Sequence, residues 1–504
     1  MNRTIKKVAV LGSGVMGSRI ACHFANIGVQ VLLLDIAPKE LLPDEEKKGL
    51  KLDAPAVRNR IVNAALQAAI VANPSPLYRK ADASRIKTGN FDDNLKDIAT
   101  CDWTIEVVVE RLDIKKSLFE RVEQFRKKGT LITSNTSGIP IHLMTEGRSE
   151  DFKTHFCGTH FFNPPRYLKL LEIIPTPDTD PAITDFLLHY GDLYLGKTTV
   201  LAKDTPAFIA NRVGVFAIMD VLRIMQELGL TVEEVDKLTG PVIGHAKSAT
   251  FRTSDVVGLD TLMNVANGLA QGLPNDEAKA VFALPEFLKK MGANKWLGDK
   301  TGQGFYKKVK GAGGKSEIQA LDLSTLEYQP GTKVKFATLE LTKAIETLAP
   351  RFAVLITGKD KAGEFYRKSF GSLFAYVSNR VPEITDALYK IDDALRAGFG
   401  WEMGPFETWD AVGVQKGIEL MTAEGKQPAA WVTEMVTAGH TTFYKVNDKG
   451  AKEFYDAESK SYQPVRGVEN FIILDNLRTT GKVLWKNTGA SDRKSTRLNS
   501  SHSS

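Results

Sequence analysis

The 504-residue chain carries only three cysteines, Cys22, Cys101 and Cys157. They lack the paired spacing of a metal site and the number of a disulfide framework, which suits a reducing compartment. No run of residues reaches membrane-spanning length, and Met1 to Lys7 leads into an apolar stretch without the pattern of a signal peptide. The expectation is a cytoplasmic protein with no membrane span. Charge of one sign is also scarce: a net +6 is small for this length and gives no reason to expect nucleic acid. It is compatible with a polyanionic small molecule. The last stretch, Ser491 to Ser504, is polar and Ser-rich, has nothing to bury, and resembles a translated cloning or adaptor sequence. The rest is ordinary for a globular protein, at 43% hydrophobic and 25% charged residues over the whole chain. It is too long for one core and implies three or four domains.

What is present begins at Lys7-Val8-Ala9-Val10-Leu11, an apolar run of strand length that meets Gly12-Ser13-Gly14-Val15-Met16-Gly17. This Gly-x-Gly-x-x-Gly turn opens a helix whose apolar residues Ile20, Phe24 and Ile27 recur at helical spacing. A second apolar run, Val29 to Leu34, ends in Asp35. Strand, glycine turn, helix, strand and acid in this order predict a dinucleotide-binding βαβ unit. Gly12 permits the tight turn, Gly14 lets backbone approach a pyrophosphate, and Gly17 lets the helix pack closely. Val15 and Met16, inside the turn, count among the cofactor-binding residues. The phosphates lie at the helix N-terminus, where free N–H groups and the dipole favour an anion. A carboxylate at Asp35 accepts from two ribose hydroxyls and repels a 2′-phosphate. Ile36, Ala37 and Pro38 supply no arginine to rescue NADP, so the cofactor is NAD.

A polar helical region is expected from about Pro38 to Asn73, broken by Asn73-Pro74-Ser75-Pro76. Strands are predicted at 86–89, 103–109, 130–133, 158–162 and 170–174, with helices at about 115–127 and 181–195. That alternation predicts a mostly parallel sheet covered on both faces, binding ligands beyond the carboxyl ends of its strands. From about Asp204 long helices take over. The first spans 207–228, the next is capped by Thr231-Val232-Glu233-Glu234, and a glycine-rich turn at 311–314 follows. The chain then repeats itself. Asn211-Arg212-Val213 returns as Asn379-Arg380-Val381, Val235-Asp236 as Ile391-Asp392, and Gly244 as Gly400. Phe251-x-Thr253-x-Asp255-x-Val257-Gly258 returns as Phe406-x-Thr408-x-Asp410-x-Val412-Gly413, and Phe305-Tyr306-Lys307 as Phe443-Tyr444-Lys445. The fold class is therefore α/β: a Rossmann-type NAD-binding domain (1–203) followed by two tandem, mainly helical domains (204–330 and 365–464). A linker at 331–364 joins the copies, and a connector (465–490) and a non-native tail (491–504) follow.

Four stretches carry chemistry. Ser134-Asn135-Thr136-Ser137 follows a buried strand and emerges at the ligand edge, although capping the next helix is the commoner fate of such hydroxyls. His160 stands in the apolar strand Gly158 to Phe162, where a satisfied core histidine is the alternative. Glu172 stands twelve residues on, among Leu170, Leu171, Ile173 and Ile174. A carboxylate buried there must be paired. If the two strands are neighbours in a hairpin, Glu172 faces His160, fixes its tautomer and assists it as a base. Asn211, early in the first long helix, reaches a substrate oxygen across the interdomain cleft or else is a structural amide. No metal ligand set is present.

Together these motifs resemble the L-3-hydroxyacyl-CoA dehydrogenase family, from Lys6 to about Lys307. The resemblance implies His160 as catalytic histidine, Glu172 as its partner, and Ser137 and Asn211 on the substrate. It also places Glu110 and Lys115 near the nicotinamide and its ribose. The implied reaction is NAD-dependent oxidation of an L-3-hydroxyacyl-CoA to the 3-ketoacyl-CoA, a step of fatty-acid β-oxidation. Alternatives are oxidation of another 3-hydroxy acid and a non-catalytic NAD-binding protein. The repeat is similar to the dehydrogenase portion of bifunctional hydratase–dehydrogenases, yet no second acid–base set follows Tyr462, so no hydratase activity is expected. Gly-Pro-Phe, familiar in the family, stands in the second copy as Gly404-Pro405-Phe406, where the first has Ala249-Thr250-Phe251. The residues touching CoA are not placed; Lys47, Lys48 and Lys51 qualify by charge alone. The second copy is expected to act as an internal pseudo-dimer partner, leaving one site in a monomeric chain.

Overall fold

A computed structural model describes residues 3–310 and 316–467. The glycine-rich turn at 311–314, nearly all of the connector and the tail lie outside the described residues. Eight strands form one sheet: β1 (Lys7–Leu11), β2 (Gln30–Asp35), β3 (Ile86–Asn90), β4 (Trp103–Glu106), β5 (Leu131–Ser134), β6 (Phe156–Phe161), β7 (Leu170–Pro175) and β8 (Thr198–Leu201). Their order is β3-β2-β1-β4-β5-β6-β7-β8. Every neighbouring pair is parallel except β6 and β7. Strand order reverses between β1 and β4, which opens a crevice at the carboxyl ends. Val8 to Leu11 and Leu32 to Leu34 are fully buried, as continuous apolar runs must be in a sheet covered on both faces. Helices α1 (Val15–Asn26), α2 (Leu112–Phe125) and α3 (Pro181–Leu193) accompany the sheet. Phe24 of α1 meets Trp103 of β4 edge-on at 5.4 Å.

Local chemistry explains where the structure departs from the expected elements. The expected strand 103–109 stops at Glu106 because its carboxylate accepts the Val108 N–H at 2.6 Å and turns the chain out of the sheet. The helical stretch after Asp35 is three short helices, Pro43–Lys47, Pro55–Arg58 and Arg60–Val71, two of them opened by a proline at the first position. Strand β8 was not foreseen; it is short and half-polar.

The helical region is built on α4 (Ala210–Leu228), which ends at Gly229 in the left-handed conformation, φ 60°. In the second copy α5 (Lys361–Arg380) and α6 (Leu388–Phe399) are the long helices. Phe216 of α4 stacks on Tyr376 of α5 at 3.7 Å. Arg212 and Arg380, equivalent in the repeat, both donate to Asp276. The repeat is structural as well as sequential. Asp236 accepts the N–H groups of Phe251 and Arg252, and Asp392 accepts those of Phe406 and Glu407. Each copy also carries a three-stranded antiparallel sheet: β9 (Tyr306–Lys310), β10 (Ser316–Asp322) and β11 (Glu327–Pro330) in the first, β12 (Tyr444–Val446), β13 (Lys452–Asp456) and β14 (Ser461–Pro464) in the second.

Two findings modify the expected layout of the second half. The stretch 331–364 is folded, with helices Ala337–Thr342 and Leu348–Thr357, because Phe352, Leu355 and Ile356 share a face and are buried. The chain also forms two compact units, one running to Ala429 and a small one beginning at Ala430. The second sheet therefore belongs to the small unit. The three thiols are free and buried. Among the described residues no helix is long and apolar enough to cross a membrane, and no group of three His, Cys, Asp or Glu side chains is placed to hold a metal.

Candidate active site

The crevice at the carboxyl ends of β1, β2 and β4 is a cleft of about 770 Å³ whose lining includes Gly12, Gly14, Asp35, Val107, Val109 and Arg121. The three glycines of the turn beside it have three different surroundings. Gly12 has φ +109°, and a Cβ there would stand 2.5 Å from the Val107 carbonyl oxygen. Gly14 faces open space, with nothing within 4 Å of a Cβ, and a Cβ on Gly17 would strike the Gly12 oxygen at 1.8 Å. That is a tight turn, an open face for a ligand and a close helix contact, in that order. Gly14 caps α1 with no side-chain bond, so the first N–H groups of the helix remain available to a phosphate. Asp35 accepts from the Ser13 N–H (2.6 Å) and hydroxyl through one oxygen and from Ile36 N–H through the other. A carboxylate has about four acceptor positions, which leaves room for ribose hydroxyls. Val15, Ile36 and Val109 are exposed apolar side chains. Met16 packs against the core. These residues fit NAD. Arg121, which lines the same cleft, arrives from α2 and donates to the Phe91 carbonyl at 2.8 Å; it was not found because it lies far from Asp35 in sequence.

His160 and Glu172 are register partners across the antiparallel pair β6–β7. The Nδ1 of the buried His160 lies 2.7 Å from Glu172 Oε2. The other oxygen of Glu172 accepts the N–H groups of Ile209 (3.1 Å) and Ala210 (2.8 Å) at the start of α4. The carboxylate thus satisfies a helix N-terminus with one oxygen and orients the imidazole with the other. Phe162 and Phe208 flank the ring at 4.5 and 5.6 Å. Phe208 has φ 54°, which carries the chain into α4 and brings Asn211 next to the residues that hold Glu172. Neither the Asn211 carboxamide nor His160 Nε2 has a hydrogen-bond partner among the described residues.

Ser137 sits on the loop after β5, whose shape Glu110 sets. One oxygen of Glu110 accepts the Thr136 hydroxyl and the N–H groups of Ser137 (2.9 Å) and Gly138 (3.0 Å). Burial alone would raise this carboxyl, but the Lys115 ammonium and these hydrogen bonds hold it below its ordinary value. Lys115 is buried, bonded to Glu106 at 2.8 and 3.0 Å and 3.3 Å from Glu110. Its ammonium therefore fixes two loops beside the cleft. Glu106 was not singled out from the sequence, and Asn135 stood there only as a member of the chemistry-bearing stretch 134–137, with no role of its own. The former also accepts the Ser134 hydroxyl, and the latter's side-chain oxygen accepts Phe161 N–H at 2.8 Å, tying the Ser137 loop to the histidine strand. An acid in the apolar run Trp103–Val108 was the available signal for Glu106. Lys47, Lys48 and Lys51 are exposed.

A doubly wound sheet with this glycine turn and acid, joined to a helical part that anchors a His–Glu pair, defines the class of NAD-binding dehydrogenase folds. The model of the "3-hydroxyacyl-CoA dehydrogenase, NAD binding domain" matches residues 7–205, and that of the "3-hydroxyacyl-CoA dehydrogenase, C-terminal domain" matches 208–308 and again 373–457. The chain belongs to the 3-hydroxyacyl-CoA dehydrogenase family. It is 46% identical over 491 residues to a Bacillus subtilis (strain 168) protein named "Probable 3-hydroxyacyl-CoA dehydrogenase", covering 97% of this chain and 61% of that one. A Deinococcus radiodurans protein of the same name is 47% identical over 306 residues, 61% of this chain and 84% of that one. The chain thus spans less than two thirds of the Bacillus relative. In fold it is similar to 3-hydroxybutyryl-CoA dehydrogenase from Escherichia coli K12, with TM-score 0.60 and 20% identity over 86% of this chain and 99% of that one.

Proposed function

We propose that the chain oxidises L-3-hydroxyacyl-CoA to 3-ketoacyl-CoA with NAD, as in fatty-acid β-oxidation, and does so in the cytoplasm. The observation that carries this reading is the His160–Glu172 pair, whose acid is anchored on the α4 N-terminus and whose base keeps a free Nε2. When bound, NAD supplies the hydride acceptor. His160 Nε2 takes the proton of the substrate hydroxyl. Glu172 accepts Nδ1–H, which makes Nε2 the basic nitrogen and stabilises the imidazolium that forms. The Asn211 carboxamide and the Ser137 hydroxyl hold the reacting oxygen, and positioning with charge stabilisation supplies most of the acceleration. Gly14 and Val15 face the pyrophosphate on a turn that Gly12 and Gly17 make possible and Met16 ties to the core, Asp35 holds the adenosine ribose, and Glu110 with Lys115 shape the nicotinamide side.

The second helical copy serves as an internal partner without a site of its own. Helix α5 runs unbroken through the residues equivalent to Ile209 and Ala210, so their N–H groups are spent inside the helix. Asn379 donates to Ala375 oxygen at 3.0 Å. The test is NADH formation from 3-hydroxyacyl-CoAs by the purified chain. Activity on a free 3-hydroxy acid but not on the thioester would move the substrate class, and NAD binding without turnover would leave a binding protein.

A further inference from the structure

Asn211, Gly214, Ile218 and Val221 follow one another on α4 at helical spacing and form one stripe. The first bears the free carboxamide of the proposed site. The other three line a cavity of about 100 Å³ between the helical copies, completed by Phe370 and Leu373 of α5 and by Trp401. One water needs roughly 10–15 Å³ of such space, so this cavity has room for several methylene groups. Its polar lining groups are already engaged. Thr250 donates to Thr239 at 2.8 Å, Thr253 pairs with Ser248 at 2.8 Å, and Asp220 accepts from Arg223 at 2.9 Å. His245 lies flat on Trp401 at 4.2 Å. What is left for an occupant is aliphatic and aromatic wall. Ala249 and Thr250, which replace the Gly404-Pro405 of the second copy, are part of that wall.

The ring of Phe399, at the end of α6, covers Gly214, where an added Cβ would fall 2.1 Å from it. It thus stands between Asn211 and the far part of the stripe. Helical rise puts Val221 about 15 Å along the axis from Asn211, a reach that suits a long acyl chain and exceeds a four-carbon one.

We propose that this cavity receives the distal end of a medium- or long-chain acyl group, with Phe399 at its mouth, so that the chain favours long 3-hydroxyacyl thioesters over 3-hydroxybutyryl-CoA. The inference rests on the dehydrogenase reading above. Its test is kcat/KM for the butyryl, decanoyl and palmitoyl substrates in the wild type, Ile218→Phe and Leu373→Trp, with the melting temperature of each variant recorded. Leu373 is only partly buried, so its replacement keeps the test open should Ile218→Phe fail to fold. The expected result is a wild-type preference for decanoyl over butyryl substrate. In a folded variant, decanoyl kcat/KM should fall at least about tenfold, the loss of about two buried methylenes, while butyryl kcat/KM stays within about twofold. Equal losses at every chain length, no loss at any, or a wild type that prefers butyryl substrate would overturn the cavity's role. If no 3-hydroxyacyl-CoA is oxidised while NAD still binds, the parent reading fails and takes this inference with it.

Discussion

His160 and Glu172 stand twelve residues apart; both were legible as polar groups in apolar strands, and the buried carboxylate as one that had to be paired. An antiparallel register brings them face to face, so the sequence argument needed only the hairpin to be right. The second role of Glu172 was not legible, because it depends on where α4 begins in space, and Phe208 sets that by turning the chain. His160→Gln is expected to lower kcat by roughly 10²–10⁴-fold, as for other general bases, with NAD affinity retained. Steady-state rates together with a cofactor titration check both parts, and turnover close to that of the wild type would remove His160 from the chemistry. Asp35 makes a separate prediction. Asp35→Ala should weaken NAD binding by roughly 10- to 100-fold, the worth of charged hydrogen bonds, and should narrow the NAD-over-NADP ratio measured by kcat/KM. A wild type that prefers NADP would contradict that role.

Elements were legible where one force dominates and obscure where a side chain redirects the backbone. The continuous apolar runs of β1 and β2 and the capping box at Thr231 could be read directly. The early end of β4 could not, since it depends on a Glu106 side chain reaching Val108 N–H. The two helices within 331–364 were hidden for opposite reasons: Ala337–Thr342 is short and half-polar, and Leu348–Thr357 is a nearly continuous apolar run holding Pro350, without a clear helical period. Helix α1 adds an element-scale prediction through His23, which is 3% exposed and bonded to the Leu195 carbonyl at 3.0 Å. Burial, then the nearby Lys197 ammonium, pushes its pKa down to about 4. Below pH 6.5 the unfolded chain takes up a proton that the folded chain refuses until about pH 4, so stability is lost as pH falls through that window. Between pH 7 and 5 the wild type should lose about 2 kcal/mol relative to His23→Leu. Urea unfolding at the two pH values measures it, and parallel losses in both proteins would show that His23 is not the sensor.

At the scale of the molecule, the same C-terminal family domain occurs twice, but among the described residues only the first copy presents a helix N-terminus to Glu172. Asn211→Ala should therefore lower kcat by about tenfold or more, while Asn379→Ala leaves it within about twofold. Equal effects would give the second copy a working site. The stacking of Phe216 on Tyr376 and the shared Asp276 make the second copy a neighbour of the first within one polypeptide. A neighbour held by a covalent chain obeys no mass-action law: its occupancy is the same at nanomolar as at micromolar protein. Specific activity should therefore stay flat over a thousandfold dilution, where an enzyme that borrows its support from another subunit loses rate as the subunits part. On the proposed function, a support carried in the same polypeptide makes the rate per molecule a constant of the chain rather than a function of its concentration.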